Sequence, residues 1–236
     1  MQILVSVVSQ DEVAEAVAGG ADILDVKNTH EGSLGAAQPE VIRAIRAAAP
    51  VHCPVSVAIG DAPQLPGTMA LAALGAASCG VEYIKVGLFG ARTLGEGTDM
   101  VRAVCRAARS VAPRIKVMAA GYADGASVGA VSPEDLPQAA AAGGADGCML
   151  DTLAKGGDTL FSIMDPEILS RFLARCRELG LASALAGRMG AADAKLLCEL
   201  GPDIAGFRSA VCGGDRTGGR VDAESVRRLR ALLNPV

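Results

Sequence analysis

Asp25 and Lys27 stand two positions apart at the end of an apolar run, Ala21-Asp22-Ile23-Leu24-Asp25-Val26-Lys27-Asn28. In an extended strand alternate side chains share a face, so the carboxylate and the amine point to one side and Val26 to the other. A lysine at the end of a buried strand is costly unless it is paired or used. Two readings follow. One is a structural ion pair with Asp25. The other is an amine held in a pocket for covalent chemistry on a carbonyl compound.

Comparable residues recur at matching places. Lys85 lies near the end of the run Tyr83–Val86, and Asp151 closes Gly147–Leu150 with Lys155 one short loop later. Asp61 follows the run Val55–Ile59. Crowded cations and partial desolvation both favour a neutral amine, and acidic neighbours oppose them, so geometry must decide which lysine is neutral. A neutral amine attacks a carbonyl to form an imine. The protonated imine withdraws electrons, the adjacent carbon loses a proton, and a second lysine or a carboxylate carries that proton. Lys116 also lies in a strand but near its start, which assigns it a structural role at the opposite end. Lys195 falls on a helix and reads as a surface charge.

The elements that must position these groups alternate regularly. Short apolar strands are expected at 2–7, 22–26, 55–59, 83–86, 115–119, 147–150, 181–186 and 204–207. Ala-rich helices fall between them. One starts at Asp11, one opens at Pro39, one is capped by Thr68, and others begin at Ser132-Pro133-Glu134 and Asp165-Pro166-Glu167. A last helix runs from about Asp222 to Leu233. A short repeat supports this phase. Gly20-Ala21-Asp22-Ile23, Gly80-Val81-Glu82-Tyr83, Gly144-Ala145-Asp146-Gly147 and Gly201-Pro202-Asp203-Ile204 each place Gly-x-acid-x before an even-numbered strand. The alternation predicts an α/β fold, a single-domain (β/α)8 TIM barrel over residues 1–236, with an open doubly wound sheet as the alternative. No Gly-x-Gly-x-x-Gly follows the first strand, so the dinucleotide fingerprint is absent.

In such a barrel the active site lies at the C-terminal ends of the strands, where Asp25, Lys27, Lys85, Asp151 and Lys155 converge. Loops after the seventh and eighth strands often hold phosphate on backbone N–H groups and arginine forks. The corresponding segments are Gly187-Arg188-Met189-Gly190 and Arg208-Ser209-Ala210-Val211-Cys212-Gly213-Gly214. A second cradle is Gly32-Ser33-Leu34-Gly35. The candidate phosphate contacts are therefore Ser33, Gly35, Gly187, Arg188, Arg208, Ser209, Gly213 and Gly214. His30, in the same loop as Ser33, reads as loop surface, with substrate contact as the alternative.

Composition narrows the classes. The 236 residues are 50% hydrophobic and only 3% aromatic, which is ample for one core built from aliphatic side chains. A net charge of −4, with no basic patch, argues against nucleic acid. No apolar run reaches membrane-spanning length, and the N-terminal residues read as a first strand and not as a signal peptide. The seven cysteines are scattered without a Cys-x-x-Cys pair, as expected of small buried or half-buried thiols in a reducing cytoplasm. Two histidines make a histidine-based zinc site or a Ser-His-Asp triad improbable. Flat Ala-rich helix faces point to a homo-oligomer.

Three blocks carry a resemblance. They are Asp25-Val26-Lys27-Asn28 with Glu31-Gly32-Ser33-Leu34-Gly35-Ala36, Tyr83-Ile84-Lys85-Val86-Gly87-Leu88, and Leu150-Asp151-Thr152 with Lys155-Gly156-Gly157. Together they resemble the (5-formylfuran-3-yl)methyl phosphate synthase family, also called 4-(hydroxymethyl)-2-furancarboxaldehyde-phosphate synthase, over nearly the whole chain. The resemblance implies a lyase that joins two molecules of glyceraldehyde 3-phosphate, with loss of one phosphate and two waters, in the biosynthesis of methanofuran-type carriers. By the same resemblance Lys27 is the Schiff-base lysine and Lys85 the proton acceptor, while Asp25, Asp151 and Lys155 assist. No metal and no cofactor is implied, and the partner is a small phosphorylated triose. Two other readings stand beside it: a different class I aldolase on a phosphorylated aldehyde, and a non-catalytic barrel that binds a phosphorylated metabolite.

Overall fold

A computed structural model describes residues 1–154 and 157–234. Eight parallel strands follow one another around a closed barrel: β1 (Gln2–Val7), β2 (Ile23–Val26), β3 (Val55–Ala58), β4 (Tyr83–Gly87), β5 (Lys116–Tyr122), β6 (Gly147–Asp151), β7 (Ala182–Leu185) and β8 (Ile204–Phe207). β1 pairs with β2 on one side and β8 on the other, which closes the sheet and excludes the open doubly wound alternative. The connecting helices are α1 (Val13–Gly19), α2 (Pro39–Ala48), α3 (Pro66–Ala77), α4 (Leu94–Val111), α5 (Leu136–Gly143), α6 (Leu160–Ile163), α7 (Pro166–Glu178), α8 (Ala194–Leu200) and α9 (Ala223–Leu233). No described helix is long and apolar enough to cross a membrane.

The apolar residues divide into two cores. The larger lies between the outer faces of the strands and the helices, and draws on residues such as Val5, Val57, Val86, Leu150, Ile45 and Leu173. The smaller fills the barrel, with Leu4, Ile23, Met118, Met149 and Ile204 at its heart. Glycines make room inside: a Cβ on Gly147 would drive into the Met118 thioether. With so few aromatics, two methionines do the filling that bulkier rings would otherwise do.

The Gly-x-acid-x repeat has a structural reason. Each acid sits just before an even strand and its carboxylate accepts a hydrogen bond from a backbone N–H at the start of the preceding odd strand. Asp22 takes Ile3, Glu82 takes Val55, Asp146 takes Val117 and Asp203 takes Ser183, at 2.7–2.8 Å. In the first three cases the acid's own N–H donates back to the carbonyl of that residue. In the fourth, the Ser183 hydroxyl accepts from Asp203 N instead. Arginines on the outside brace three of the acids: Arg230 on Asp22, Arg46 on Glu82 and Arg109 on Asp146. The barrel is thus built from four βαβα quarters, each stapled at the mouth opposite the candidate site.

Most expected elements appear, with informative shifts. β5 continues to Tyr122, three residues past the expected end, because Gly121 is where Leu136 packs against the strand and not a break. α3 begins at Pro66, so Thr68 lies inside its first turn and Leu65 is the residue before it. A hydrogen-bonded turn from Ser132 to Asp135 precedes α5, which starts at Leu136. The segment from Gln10 to Glu12 forms a single tight 3-10 turn before α1. Asp165 and Asp222 cap α7 and α9 as the spacing predicts. Lys116 is at the start of β5, stacked over the Tyr83 ring, and Lys195 is exposed on α8.

Candidate active site

Period-two alternation builds the site directly. On four strands an apolar residue in the barrel floor is followed two positions later by a polar one at the C-terminal mouth: Leu4 and Ser6, Ile23 and Asp25, Tyr83 and Lys85, Met149 and Asp151. Lys27 follows Asp25 on the same side, one residue past the end of β2. These polar side chains line one cavity together with Gly187, Arg188, Arg208, Ser209 and Arg216. Asp25, Lys85, Asp151 and Lys27 are all buried, Lys27 the least so at 8% exposure.

The central contact is an ion pair. Lys85 Nζ lies 2.6 Å from Asp25 Oδ2, and the Ser6 hydroxyl donates to the same oxygen at 3.1 Å. Asp25 Oδ1 is buried and accepts no hydrogen bond among the described residues. An uncommitted carboxylate oxygen beside an amine is unusual in a packed interior and common where protons move. Asp151 Oδ1 accepts from Thr152 N at 2.7 Å, which fixes its carboxylate at the rim. The loop that follows is held by Asp124, whose two oxygens accept from Leu153 N and Ala154 N. Lys155 lies outside the described residues.

The loop between β2 and α2 carries no regular structure of its own, so other elements hold it. Asp61, after β3, accepts from Leu34 N at 2.9 Å and from the Tyr122 hydroxyl at the end of β5. Burial, reinforced by Asp61, pushes the Tyr122 hydroxyl well above its ordinary range, so it remains a donor. Ser33 Oγ donates to Thr152 O at 2.9 Å. Arg216, from the loop after β8, donates to Thr29 O and Gly32 O.

The expected phosphate contacts divide. Gly187, Arg188, Arg208 and Ser209 line the cavity. Ser33 instead ties its loop to the end of β6, and Gly35 packs so closely on Asn28 that a Cβ would overlap the Asn28 carbonyl. Gly213 and Gly214 shape the turn after β8 and are exposed. Arg208 is held at 2.7 Å by buried Glu12 and donates also to the carbonyls of Ser6, Arg216 and Gly219. Arg188 has φ +53°, the one non-glycine with positive φ among the described residues, directly after Gly187 at +121°. Backbone strain of this kind gathers at functional sites. Sequence reasoning missed Ser6, Glu12, Tyr122, Asp124 and Arg216. The one usable signal was the arginine set between the glycine pairs Gly213-Gly214 and Gly218-Gly219 of the β8 loop.

No cysteine lines the cavity among the described residues. Burial pushes the thiols of Cys105 and Cys212 up to about 11 and that of Cys148 well above its ordinary value, so these three are not activated nucleophiles. Cys198 is exposed, contrary to the expectation that all seven are at least half buried.

The family model described as 4-HFC-P synthase matches residues 3–230. The chain belongs to the 4-HFC-P synthase family. The (5-formylfuran-3-yl)methyl phosphate synthase of Methanothermobacter thermautotrophicus is 49% identical over 235 residues, 99% of each chain. That of Methanocaldococcus jannaschii is 47% identical over 98% of this chain and 99% of its own. Among solved structures, 3-hexulose-6-phosphate synthase from Salmonella typhimurium superposes with a TM-score of 0.67 at 18% identity, covering 99% of this chain and 98% of that one, a likeness of fold alone. As a 4-HFC-P synthase family member the chain is an enzyme, and the non-catalytic binding reading is set aside.

Proposed function

We propose that this synthase condenses two molecules of glyceraldehyde 3-phosphate into (5-formylfuran-3-yl)methyl phosphate through an imine on Lys27. The observation that carries the reading is the shared cavity of Lys27 with the buried Lys85–Asp25 pair. Lys27 sits nearer the opening and is the better placed nucleophile.

In this mechanism the Lys27 amine adds to the aldehyde carbon of one triose and water leaves as the imine forms. The imine nitrogen takes up the electron pair released when the neighbouring C–H loses its proton. Asp25 Oδ1 and Asp151 are within the same cavity to accept that proton, and Lys85 can accept it once its own proton has passed to Asp25. The electron pair so released drives formation of the new C–C bond to the second triose. Ring closure and elimination then release one inorganic phosphate and two waters in total, counting the water exchanged at the imine and returned at its hydrolysis as zero. Carbon, oxygen and phosphorus balance with no change in oxidation state overall, so the scheme needs no redox partner. Lys155 enters this scheme through the family resemblance alone. Arg188 and the neighbouring cavity wall supply positive charge for the phosphoryl groups.

Borohydride trapping with glyceraldehyde 3-phosphate, followed by peptide mass mapping, tests the reading. A reduced adduct on Lys27 together with a furan aldehyde product supports it. An adduct without furan product would favour another class I aldolase. Furan product with no trapped adduct would overturn the imine.

A further inference from the structure

The loop after β8 is built to present one arginine. Asp215 Oδ1 accepts from the N–H groups of Thr217 and Gly218, and Asp215 O accepts from Gly219 N. A Cβ on Gly219 would overlap the carbonyl of Cys212, so the turn closes only with glycine there. In this largely exposed turn Arg216 is half-buried and lines the cavity of Lys27, Lys85 and Asp151. Its terminal nitrogens donate to Thr29 O at 3.1 Å and Gly32 O at 3.0 Å, which sets the plane of the guanidinium and leaves further N–H groups for a ligand. Its own carbonyl is gripped by Arg208 Nε at 3.0 Å, and Arg208 is in turn anchored on Glu12.

We propose that Arg216 is a substrate-binding residue that holds a phosphoryl oxygen of the triose in the cavity it shares with Lys27, with Arg208 acting as its positioning residue. This rests on the phosphorylated-aldehyde reading above. The arrangement divides labour among the arginines of the wall. Arg208 spends its donors on protein carbonyls and a carboxylate, whereas among the described residues Arg216 donates to two neutral carbonyls and to no carboxylate. A phosphoryl dianion is the ligand that such a fork accommodates best. Burial holds the Arg216 guanidinium somewhat below the usual arginine value, with Arg208 and Arg188 nearby adding to the effect and Asp151 opposing it. An anion entering the cavity relieves that crowding.

The test compares wild type with Arg216→Gln and Arg216→Lys in two assays. The first is calorimetric titration with inorganic phosphate; the second is steady-state turnover of glyceraldehyde 3-phosphate. Loss of a charge-assisted fork predicts about a ten- to hundred-fold weaker phosphate affinity for Arg216→Gln, and a KM rise of similar size that exceeds any fall in kcat. Arg216→Lys should fall between, because it keeps the charge and loses the fork. Circular dichroism melting checks that the variants are folded; if Arg216→Gln is not, Arg216→Lys carries the comparison. Folded variants that bind phosphate as tightly as wild type would overturn the proposal, even with furan synthesis intact. If wild type makes no furan product but binds phosphate through Arg216, the function reading fails and the anion site stands.

Discussion

Lys85 Nζ and Asp25 Oδ2 are 2.6 Å apart across the barrel mouth, with side chains only 3% and 0% exposed. Burying both charges is expensive, and their attraction together with the Ser6 hydrogen bond offsets it only while both partners are present. Lys85→Met should therefore lower the unfolding free energy by about 3–5 kcal/mol. The double variant Asp25→Leu/Lys85→Met should recover much of that loss while remaining inactive. Urea titration of the three proteins checks this, and an undisturbed Lys85→Met would mean that water already solvates the pair.

Tyr122 links stability to alkaline pH. Its folded-state hydroxyl titrates above the ordinary value of 10.0, chiefly through burial and then through Asp61. The raised value means that its contribution is fully present below about pH 10 and is lost as pH rises through the folded-state value. Tyr122→Phe should cost about 1–3 kcal/mol at neutral pH, because Asp61 loses a donor. The gap between wild type and variant should narrow above about pH 10. Melting curves across that range give the answer; a gap that widens would contradict the assignment.

Gly87, at the end of β4, has no room for a side chain, since a Cβ would overlap the Tyr122 hydroxyl and crowd Asp61. Gly87→Ala should destabilise by about 1–3 kcal/mol. It should also weaken catalysis, because Asp61 holds the loop that follows Lys27. Combined with Tyr122→Phe, which removes the offending oxygen, the penalty should be less than additive. Strict additivity in denaturant unfolding would show that the two residues do not meet.

The acid staples at the far mouth should behave as independent units. Asp22→Asn and Asp146→Asn each weaken a charged acceptor for a strand N–H, and each leaves an arginine without its carboxylate. Each should cost about 1 kcal/mol, discounted for partial exposure. The two sites lie in different quarters of the barrel, so the costs should add, with KM and kcat unchanged. A large kinetic effect would show that the staples act on the site.

Local periodicity alone settled a great deal here. The eight strands and the shared face of Asp25 and Lys27 are written in alternation and in the Gly-x-acid-x repeat, whereas closure of the sheet rests on the pairing of β1 with β8. A side chain's face within a strand depends only on its neighbours in sequence, so the strands and that shared face were legible without coordinates. Partnership was not. The sequence offered Asp25 a lysine two residues away, and the barrel pairs it with Lys85, 60 residues on. Asp61 and Tyr122, Ser33 and Thr152, and Glu12 and Arg208 are likewise far apart in the chain. The loop residues that hold the site have no periodic signature, because their positions follow from contacts with other strands' ends. Closing the sheet brings β1 beside β8 and sets the ends of β2, β4 and β6 around one opening. That closure decides which carboxylate meets which cation, and which arginine faces the cavity.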